Sequence, residues 1–404
     1  MSEWKTIPAD VFCDSVRDGT HDTPKQVEKG YKLVTAKHIN NGQIDLSDAY
    51  LISEQDYLKI NERSKVEQWD VLMSMIGNGL GKSAVVKDNP EYAIKNLALF
   101  KLGDEIKAKW LHYYLSSKSG QGFIYNSLQG SGQPFISLSL LRKFPIPVPS
   151  DETIMGDIVT VLSRYDSLIE NYQKQIKLLE EAAQRLYKEW FVDLRFPGHE
   201  NTKTVDGVPE GWEKKKISEV CDTIGGGTPS TKVLSYYENG TISWVTPTDI
   251  TKNNSLCLLS TEKKITKEGL DHSSAKMLPA ETILMTSRAS VGFFGICDFE
   301  VCTNQGFISC VPFDNNFQMY LLYNLMNRVE EIRIKAGGST YLEISKSVFR
   351  NFDIICPKDD LICLFQKEAH QLLERMRMIC KQIRLLTEAR DRLLPKLMSG
   401  EIAV

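Results

Sequence analysis

The sequence has no long apolar run, no paired-cysteine motif and no excess of positive charge. No apolar run approaches the ~20 residues of a membrane-spanning helix, and the start, MSEWKTIPAD, lacks the features of a secretory signal. The nine cysteines are scattered, without a CxxC pair or a Cys/His cluster at metal-ligand spacing. We therefore expect a cytoplasmic protein with reduced thiols, no membrane contact and no metal, in which Cys302 and Cys310 are buried in strands.

The formal net charge of −3 argues against a simple basic nucleic-acid binder, because such proteins usually carry a marked positive excess. Any affinity for DNA must then come from local clusters of cations or from positive surface on partner proteins.

Two segments resemble functional motifs without matching them. GNGLGKS (77–83) is one residue short of a phosphate-binding loop, so a tight turn between strands is the better interpretation. NPEY (89–92) differs at Glu91 from the NPP[YF] tetrapeptide of amino-methyltransferases, and no Gly-rich loop for a methyl donor accompanies it. The six histidines show no metal or triad spacing. We predict a chain with no catalytic residue and no cofactor.

An internal repeat is the strongest feature that the sequence does contain, and Trp4 falls on Trp212 when the chain is aligned with itself. DVLMSMIGNGLG (70–81) then matches ETILMTSRASVG (281–292), and YKLVTAKHI (31–39) matches ISWVTPTDI (242–250). KQIKLLEEAAQRL (174–186) matches KQIRLLTEARDRL (381–393). Matches this regular indicate a duplicated unit, each copy made of a globular domain and a helix.

The predicted fold class is α+β, because both globular domains mix short β-branched strands with a few helical stretches, such as 108–117 and 316–335. The predicted organisation is a globular domain at 1–150, a helix at 151–195, a linker at 196–211, a second globular domain at 212–357 and a second helix at 358–404.

The two helices carry apolar residues at alternating steps of four and three, which is the seam of a coiled coil. The seam comprises Ile158, Leu162, Tyr165, Ile169, Tyr172, Ile176, Leu179, Ala183, Leu186 and Trp190, then Phe365, Ala369, Leu372, Met376, Ile379, Ile383, Leu386, Leu393 and Leu397, with one break at Arg390. We expect the two helices to pair antiparallel, related by a pseudo-two-fold. The alternative is that each packs on its own domain or pairs between chains.

Three segments resemble the conserved regions of specificity (S) subunits of type I restriction–modification systems: LYKEWFVDLRFPG (186–198), GVPEGW (207–212) and RDRLLPKLMSGEI (390–402). The resemblance covers the whole chain, although the N-terminal SEWKTIPADV lacks the PEGW form. It implies two target recognition domains, each reading half of an asymmetric, double-stranded bipartite DNA target. It also implies that the helices set the spacing and dock two adenine-N6 methyltransferase subunits, which restriction/translocase subunits can join.

Three other functions remain open at this stage. One is a methyltransferase with a degenerate NPEY loop, and another is a coiled-coil structural protein without a DNA role. The third is the specificity subunit of a related system that cuts on both sides of its site.

The candidate DNA contacts were chosen because both copies offer polar residues at matching loop positions, where phosphates and base edges find donors. In the first domain they are Thr20, His21, Thr23, Lys37, His38, Asn78, Lys82, Ser131 and Gln133. In the second they are Thr228, Ser230, Thr231, Lys232, Thr248, Asp249, Ser287, Arg288, Ser339, Thr340 and Tyr341. Arg288 is the strongest candidate for a guanine contact. Any single loop Ser or Thr could instead merely cap a turn.

For docking of partner proteins we predict apolar helix residues, most of which fall off the seam: Leu178, Trp190, Phe191, Leu385, Leu394 and Leu397. Trp190 lies on the seam itself, so packing in the core is an equal alternative for it.

Overall fold

The computed structural model describes residues 4–40, 42–130, 134–338, 342–402 and 404. They form two compact units: unit 1 comprises Met1–Leu168 and Leu386–Val404, and unit 2 comprises Ile169–Leu385. Each of the two long helices therefore contributes one part to each unit.

Unit 1 consists of short strands and helices followed by the first part of a long helix. In chain order these are β1 (Trp4–Pro8), α1 (Ala9–Phe12), β2 (Ser15–Asp18), β3 (Tyr31–Val34), β4 (Ile39–Asn40), β5 (Gln43–Ile44), β6 (Leu51–Ile52), α2 (Glu54–Ser64), β7 (Val71–Ser74), β8 (Ser83–Val85), β9 (Tyr92–Ile94), β10 (Leu97–Lys101), α3 (Glu105–Ser116), α4 (Lys118–Asn126), α5 (Leu138–Arg142), β11 (Pro145–Pro149) and α6 (Glu152–Tyr187).

Unit 2 begins within α6, which continues into a π-helical turn at Lys188–Val192. The elements that follow are β12 (Thr204–Val205), β13 (Val208–Pro209), β14 (Glu213–Lys216), α7 (Ile217–Val220), β15 (Cys221–Gly225), β16 (Ile242–Val245), α8 (Pro247–Thr251), β17 (Lys263–Ile265), α9 (Lys267–Asp271), β18 (Ile283–Thr286), β19 (Phe294–Gly295), β20 (Cys302–Thr303), β21 (Phe307–Pro312), α10 (Gln318–Asn327), α11 (Val329–Lys335), α12 (Lys346–Arg350), β22 (Asp353–Cys356) and α13 (Asp359–Met398).

The sheets of the two units have the same topology. A four-stranded antiparallel sheet has the order β2-β10-β7-β8 in unit 1 and β15-β21-β18-β19 in unit 2. A three-stranded sheet has the order β6-β3-β9 or β17-β16-β20, and its parallel pair is β3 with β9 or β16 with β20. The first and last strands of each domain also pair, β1 with β11 and β14 with β22. Identical strand orders with different sequences confirm the duplication.

Each unit packs parts of both long helices into its own core. Ile158 and Leu162 of α6 and Leu397 of α13 are buried with the helices and sheets of unit 1. In unit 2, Ala183 of α6 and Phe365 of α13 are buried together with α10. Burial of the heptad positions is what holds helices this long, since a lone amphipathic helix gains little in water.

The helix segments run antiparallel within each unit. In unit 1, Asp166 of α6 forms an ion pair with Arg390 of α13. Ile158, which precedes Asp166, shares the core with Leu397, which follows Arg390. In unit 2, the Trp190 ring lies 5.8 Å from that of Phe365, while Glu180 acts electrostatically on Cys380. The predicted fold class, two α+β domains with two long antiparallel helices, is confirmed.

Arg390, the one break in the predicted seam, has a structural partner. Its Nη1 donates to Asp166 over 2.7 Å, and the hydroxyl of Tyr113 in α3 donates to the other oxygen of the same carboxylate over 2.6 Å. All three side chains belong to unit 1, so a charged residue at a seam position here connects both helices to the globular domain.

Two local expectations need refinement. The helix expected at 316–335 is two helices, α10 and α11, because Arg328 between them leaves helical geometry and donates to the backbone oxygen of Asp353. The expected linker at 196–211 contains a hairpin, β12–β13, whose turn places Asp206 and Gly207 at positive φ. Asp-Gly is a strong hairpin signal that the Pro/Gly-rich composition concealed.

The expectations for the thiols and for GNGLGKS agree with the structure. Cys302 and Cys310 lie fully buried in β20 and β21, and all nine cysteines are unpaired. GNGLGKS connects the antiparallel strands β7 and β8, so it is a turn between strands, as predicted. In the part of the chain that the structure describes, no helix is long and apolar enough to cross a membrane.

Candidate DNA interface

In each unit, several of the predicted contact loops lie beside the carboxyl ends of the two parallel strands in the three-stranded sheet. In unit 1, β3 and β9 are parallel, so their carboxyl ends lie together, and the amide of Lys95 after β9 donates to the oxygen of Val34 at the end of β3. The turn with Lys37 and His38 follows β3, and the loop with Thr20 bonds through its backbone to Ile94. Strand direction therefore gathers segments that are far apart in the sequence.

The loop after β2 is held in place by residues after β9. His21 is hydrogen-bonded through Nδ1 to Asn96 (2.9 Å) and through Nε2 to Asp18 (3.1 Å), and Lys95 Nζ donates to the hydroxyl of Thr23. Gly19 is required at the start of this loop, because a Cβ there would collide with the carbonyl oxygen of Ile94. His21 and Thr23 are exposed, and Thr20 is half-buried.

Lys37 lies in the turn at 36–38, which contacts the turn at 77–79, and Lys82 follows that second turn. Lys82 Nζ donates to Asn40 over 3.3 Å, and Lys37 is paired with Asp48 over 2.7 Å; both lysines are exposed. His38 is different: it is 1% exposed, and its Nδ1 accepts from the amide of Thr35. Its prediction as a direct DNA contact is not supported by this placement, because its ring caps the turn beneath Lys37.

His112 of α3 supports the strand that follows Lys82. Its Nδ1 is hydrogen-bonded to Ser83 over 2.9 Å, and burial lowers the pKa of the imidazole to about 4.

Because His112 takes up its proton in the unfolded chain near pH 6.5 and in the folded chain only near pH 4, unit 1 should lose stability as the pH falls between these values. We expect a loss of up to about 3 kcal/mol. Urea titrations from pH 7 to pH 4, comparing wild type with His112→Gln, measure it. If the free energy of unfolding falls with pH by the same amount in both proteins, the prediction is contradicted.

The edge of unit 2 has the same construction with different side chains. The amide of Asn304 after β20 donates to Val245 at the end of β16, and that of Gly227 donates to Thr303. Thr228 donates to Gln305, and the Trp244 indole donates to the oxygen of Gly227 over 3.0 Å. Ser230, Thr231 and Lys232 continue this loop and are exposed.

The turn after β16 corresponds to the turn after β3. The Asp249 carboxylate accepts from the amide and the hydroxyl of Thr246 over 2.8 and 2.7 Å and thus caps α8, as His38 caps its turn in unit 1. Asp249 is half-buried in this role, whereas Thr248 beside it is exposed. The sequence match identified equivalent positions in the two turns. At His38 and Asp249, however, the shared role is to cap the turn, while Lys37 and Thr248 are exposed.

Arg288 lies on an exposed turn, and its neighbour Ser287 is buried. The Arg288 guanidinium is 47% exposed and lies 3.6 Å from the Glu343 carboxylate, across a backbone bridge between the same residues. In unit 1 the equivalent bridge joins Ile76 to Phe135, so Arg288 stands where unit 1 has an isoleucine. Ser287 is 3% exposed, so of these two neighbours Arg288 is the one that solvent can reach.

Some predicted contacts lie outside the described residues, namely Ser131, Gln133, Ser339, Thr340 and Tyr341, together with the side chain of Asn78. Several residues at the two edges were missed at the sequence level: Asn40, Lys95, Asn96 and Gln305 each bond to a predicted contact. The match of Asn96 with Asn304 in the repeat was the available signal.

The predicted docking residues separate into two groups. Leu178 and Leu385 are 63% and 60% exposed, as a docking surface requires. Trp190, Leu394 and Leu397 are 9%, 6% and 3% exposed and belong to the cores, and Phe191 packs 4.7 Å from Tyr320. These four side chains pack in or against the domain cores and leave little free surface for docking, which for Trp190 is the core alternative given above.

The described residues contain no group of His, Cys, Asp and Glu that could hold a metal ion. NPEY ends in Tyr92, whose ring is buried in β9, so this segment presents no open aromatic face.

Comparisons with known proteins agree on one family. The model described as "Type I restriction modification DNA specificity domain" matches residues 1–181 and 209–384. The chain is 25% identical to the type I restriction enzyme HindI specificity subunit of Haemophilus influenzae, over 90% of this chain and 94% of that subunit. It is 31% identical to the MjaIX specificity subunit of Methanocaldococcus jannaschii, over 42% of this chain and only 40% of that subunit.

A solved structure shares the fold. The crystal structure of a type-I restriction-modification system S subunit from M. genitalium aligns with a TM-score of 0.55 at 15% identity, covering 98% of this chain and 96% of that one.

Proposed function

Because this chain belongs to the type I restriction modification DNA specificity domain family, we propose that it reads an asymmetric, bipartite sequence in double-stranded DNA. Each unit reads one half of the target with the loops at the edge of its three-stranded sheet. The long helices dock two adenine-N6 methyltransferase subunits, which restriction/translocase subunits can join. The chain itself contributes recognition and assembly in the cytoplasm, without catalysis.

One observation carries this proposal: the two units share strand order but present different residues at the same edge. Lys37 follows β3 where Thr248 follows β16, and His21 stands in the unit 1 loop where Thr228 stands in the equivalent loop of unit 2. Two copies of one reader would demand a palindrome, whereas two different readers fit an asymmetric target. The exposed Leu178 and Leu385, one on each helix, support docking at equivalent positions.

The decisive experiment maps N6-methyladenine across the genome with and without this gene. We expect one bipartite, asymmetric motif to lose its methylation. The purified chain alone, incubated with DNA and labelled methyl donor, should transfer no methyl group. Methyl transfer without a partner would instead favour an enzyme, and unchanged methylation would reject the proposal.

Arg288→Ala should relax specificity at one position in one half of the target, at a cost of about 1–3 kcal/mol. Its guanidinium is the exposed, planar donor of the unit 2 turn, and such groups suit a guanine edge. The measurement is binding by the complex with its methyltransferase subunits to a panel of DNAs with single base changes.

Lys232→Ala is the matched control on the same edge. A lysine that contacts a phosphate carries no sequence information, so its loss should weaken binding to every DNA in the panel by a similar factor. Equal losses on the whole panel for Arg288→Ala would show that this residue, too, contacts only the backbone.

A further inference from the structure

A cleft of about 460 Å³ in unit 1 is lined by three arginines, one aspartate and one leucine: Arg17, Arg63, Arg142, Asp18 and Leu138. Three guanidinium groups oppose one carboxylate, so the cleft is cationic in a chain whose formal net charge is −3. These residues come from β2, α2 and α5, which are far apart in the sequence, so neither the repeat nor the loop pattern predicted that they would meet.

The three arginines have different internal roles. Arg63 pairs with Asp18, whose side chain is only 9% exposed, so Arg63 serves first to neutralise a buried carboxylate. Arg142 donates through Nε to the backbone oxygen of Val16 over 3.3 Å. Its equivalent in unit 2, Arg350, likewise donates to the backbone oxygen of Thr223, so this bond belongs to the shared frame.

Arg17 bonds to neutral groups, whereas Arg63 pairs with a carboxylate. The Nε of Arg17 donates to Ser15 and its Nη1 to the backbone oxygen of Arg63, and these two bonds fix the plane of a guanidinium that lines the cleft. A guanidinium held this way is preorganised for a tetrahedral anion such as a phosphate.

The position of the cleft indicates where such a phosphate would come from. Asp18, on its wall, also bonds to His21 in the loop at the predicted DNA edge. Leu138, which also lines the cleft, begins α5. Through Asp18 the cleft thus borders the loop with His21, which was predicted to contact DNA.

Unit 2 does not repeat this charge pattern. Strand pairing places Ile224 and Gly225 of β15 where β2 has Arg17 and Asp18, and α12 has Lys346 where α5 has Leu138. The arginine at position 17 is therefore a feature of one half of the molecule, which suits an asymmetric function.

We propose that this cleft binds one backbone phosphate of DNA beside the half-site of unit 1, and that Arg17 is the residue that contacts it. The proposal rests on the proposed function and adds a contact that positions the DNA without reading its sequence. Arg63 pairs with Asp18 and adds positive potential, and Arg142 is bonded to the backbone of β2 at Val16. Neither of them needs to touch the phosphate.

The test uses the full chain assembled with its methyltransferase subunits, and measures DNA binding as a function of salt. Arg17→Gln should reduce the slope of log K against log salt by about 0.9, so the loss of affinity is about 3–4-fold larger at 50 mM than at 200 mM salt. The slope should fall equally on target and non-target DNA. Arg17→Lys keeps the charge and should keep the slope, and Leu138→Lys should increase it.

A second measurement locates the phosphate. DNAs with single uncharged methylphosphonates should include one position that weakens wild type but leaves Arg17→Gln unaffected. Inorganic phosphate, at an ionic strength matched with chloride, should weaken DNA binding by wild type more than by Arg17→Gln, because it competes for the same cleft. If phosphate binds the cleft but neither the methylphosphonates nor Arg17→Gln changes DNA binding in this way, the cleft belongs to free phosphate and the DNA assignment is overturned.

The outcomes separate the two proposals. If the wild-type complex binds its target specifically and Arg17→Gln has an unchanged slope, the cleft proposal is wrong while the proposed function stands. If the wild-type complex binds no DNA specifically, the proposed function itself fails.

Discussion

Replacing Trp190 with alanine should lower the free energy of unfolding of unit 2 by about 3–5 kcal/mol, the range for a large aromatic residue removed from a core. The ring is 9% exposed and packs 5.8 Å from Phe365, which is fully buried. The cavity would open where the π-helical turn after α6 packs against α13. Urea unfolding, followed by hydrogen exchange in α10, measures the loss.

Leu385→Ala is the informative comparison on α13. At 60% exposure the side chain contributes little to the core, so its removal should change stability by less than about 0.5 kcal/mol. Under the proposed function it should instead weaken binding of a methyltransferase subunit, which analytical ultracentrifugation of the mixed proteins can follow. A large loss of stability for Leu385→Ala, or none for Trp190→Ala, would reverse our division between core and docking surface.

Replacing Arg377 with methionine should cost about 1.5–3 kcal/mol, again in unit 2. The side chain is 6% exposed and binds Glu281 over 2.7 Å, with Glu374 and Asp298 nearby. Methionine keeps the apolar contacts of the stem but leaves these carboxylates without their shared cation. Glu281 also has a positive φ of 68°, so this ion pair anchors a strained residue at the start of β18 to α13.

The pH dependence of this cost has a definite sign. Burial alone would raise the pKa of Asp298, but Lys381 and Arg377 together lower it below the ordinary value of 3.8. An acid with a lowered pKa stabilises the fold above that ordinary value, and the contribution disappears as the pH falls through the lowered pKa.

The cost of Arg377→Met should therefore shrink below about pH 4. The double variant with Glu281→Gln should lose less than the sum of the single variants, because the two groups interact directly. Additive losses, measured by urea unfolding, would show that Arg377 acts only through packing.

The amino-acid sequence by itself determined the repeat, the mixed α and β character of each domain, and the positions of the helix seams. Local periodicity carries this information: Ile158, Leu162, Ile169, Ile176 and Ala183 are buried where steps of four and three place them. The sequence also indicated the polar loops through Gly-Thr segments such as Gly19-Thr20. The glycine lets two backbone segments approach closely, and the threonine offers a polar side chain.

The tertiary structure decided which of these residues are buried and which are exposed to solvent. Trp190 and Leu385 are both apolar residues on helices predicted to dock partners, yet one enters a core and the other faces solvent, because the domains cover only part of each helix. His38 and Lys37 are neighbours, yet one caps a turn and the other is exposed. The arginine cleft joins β2, α2 and α5 through long-range packing, and no local pattern encodes such a meeting of side chains.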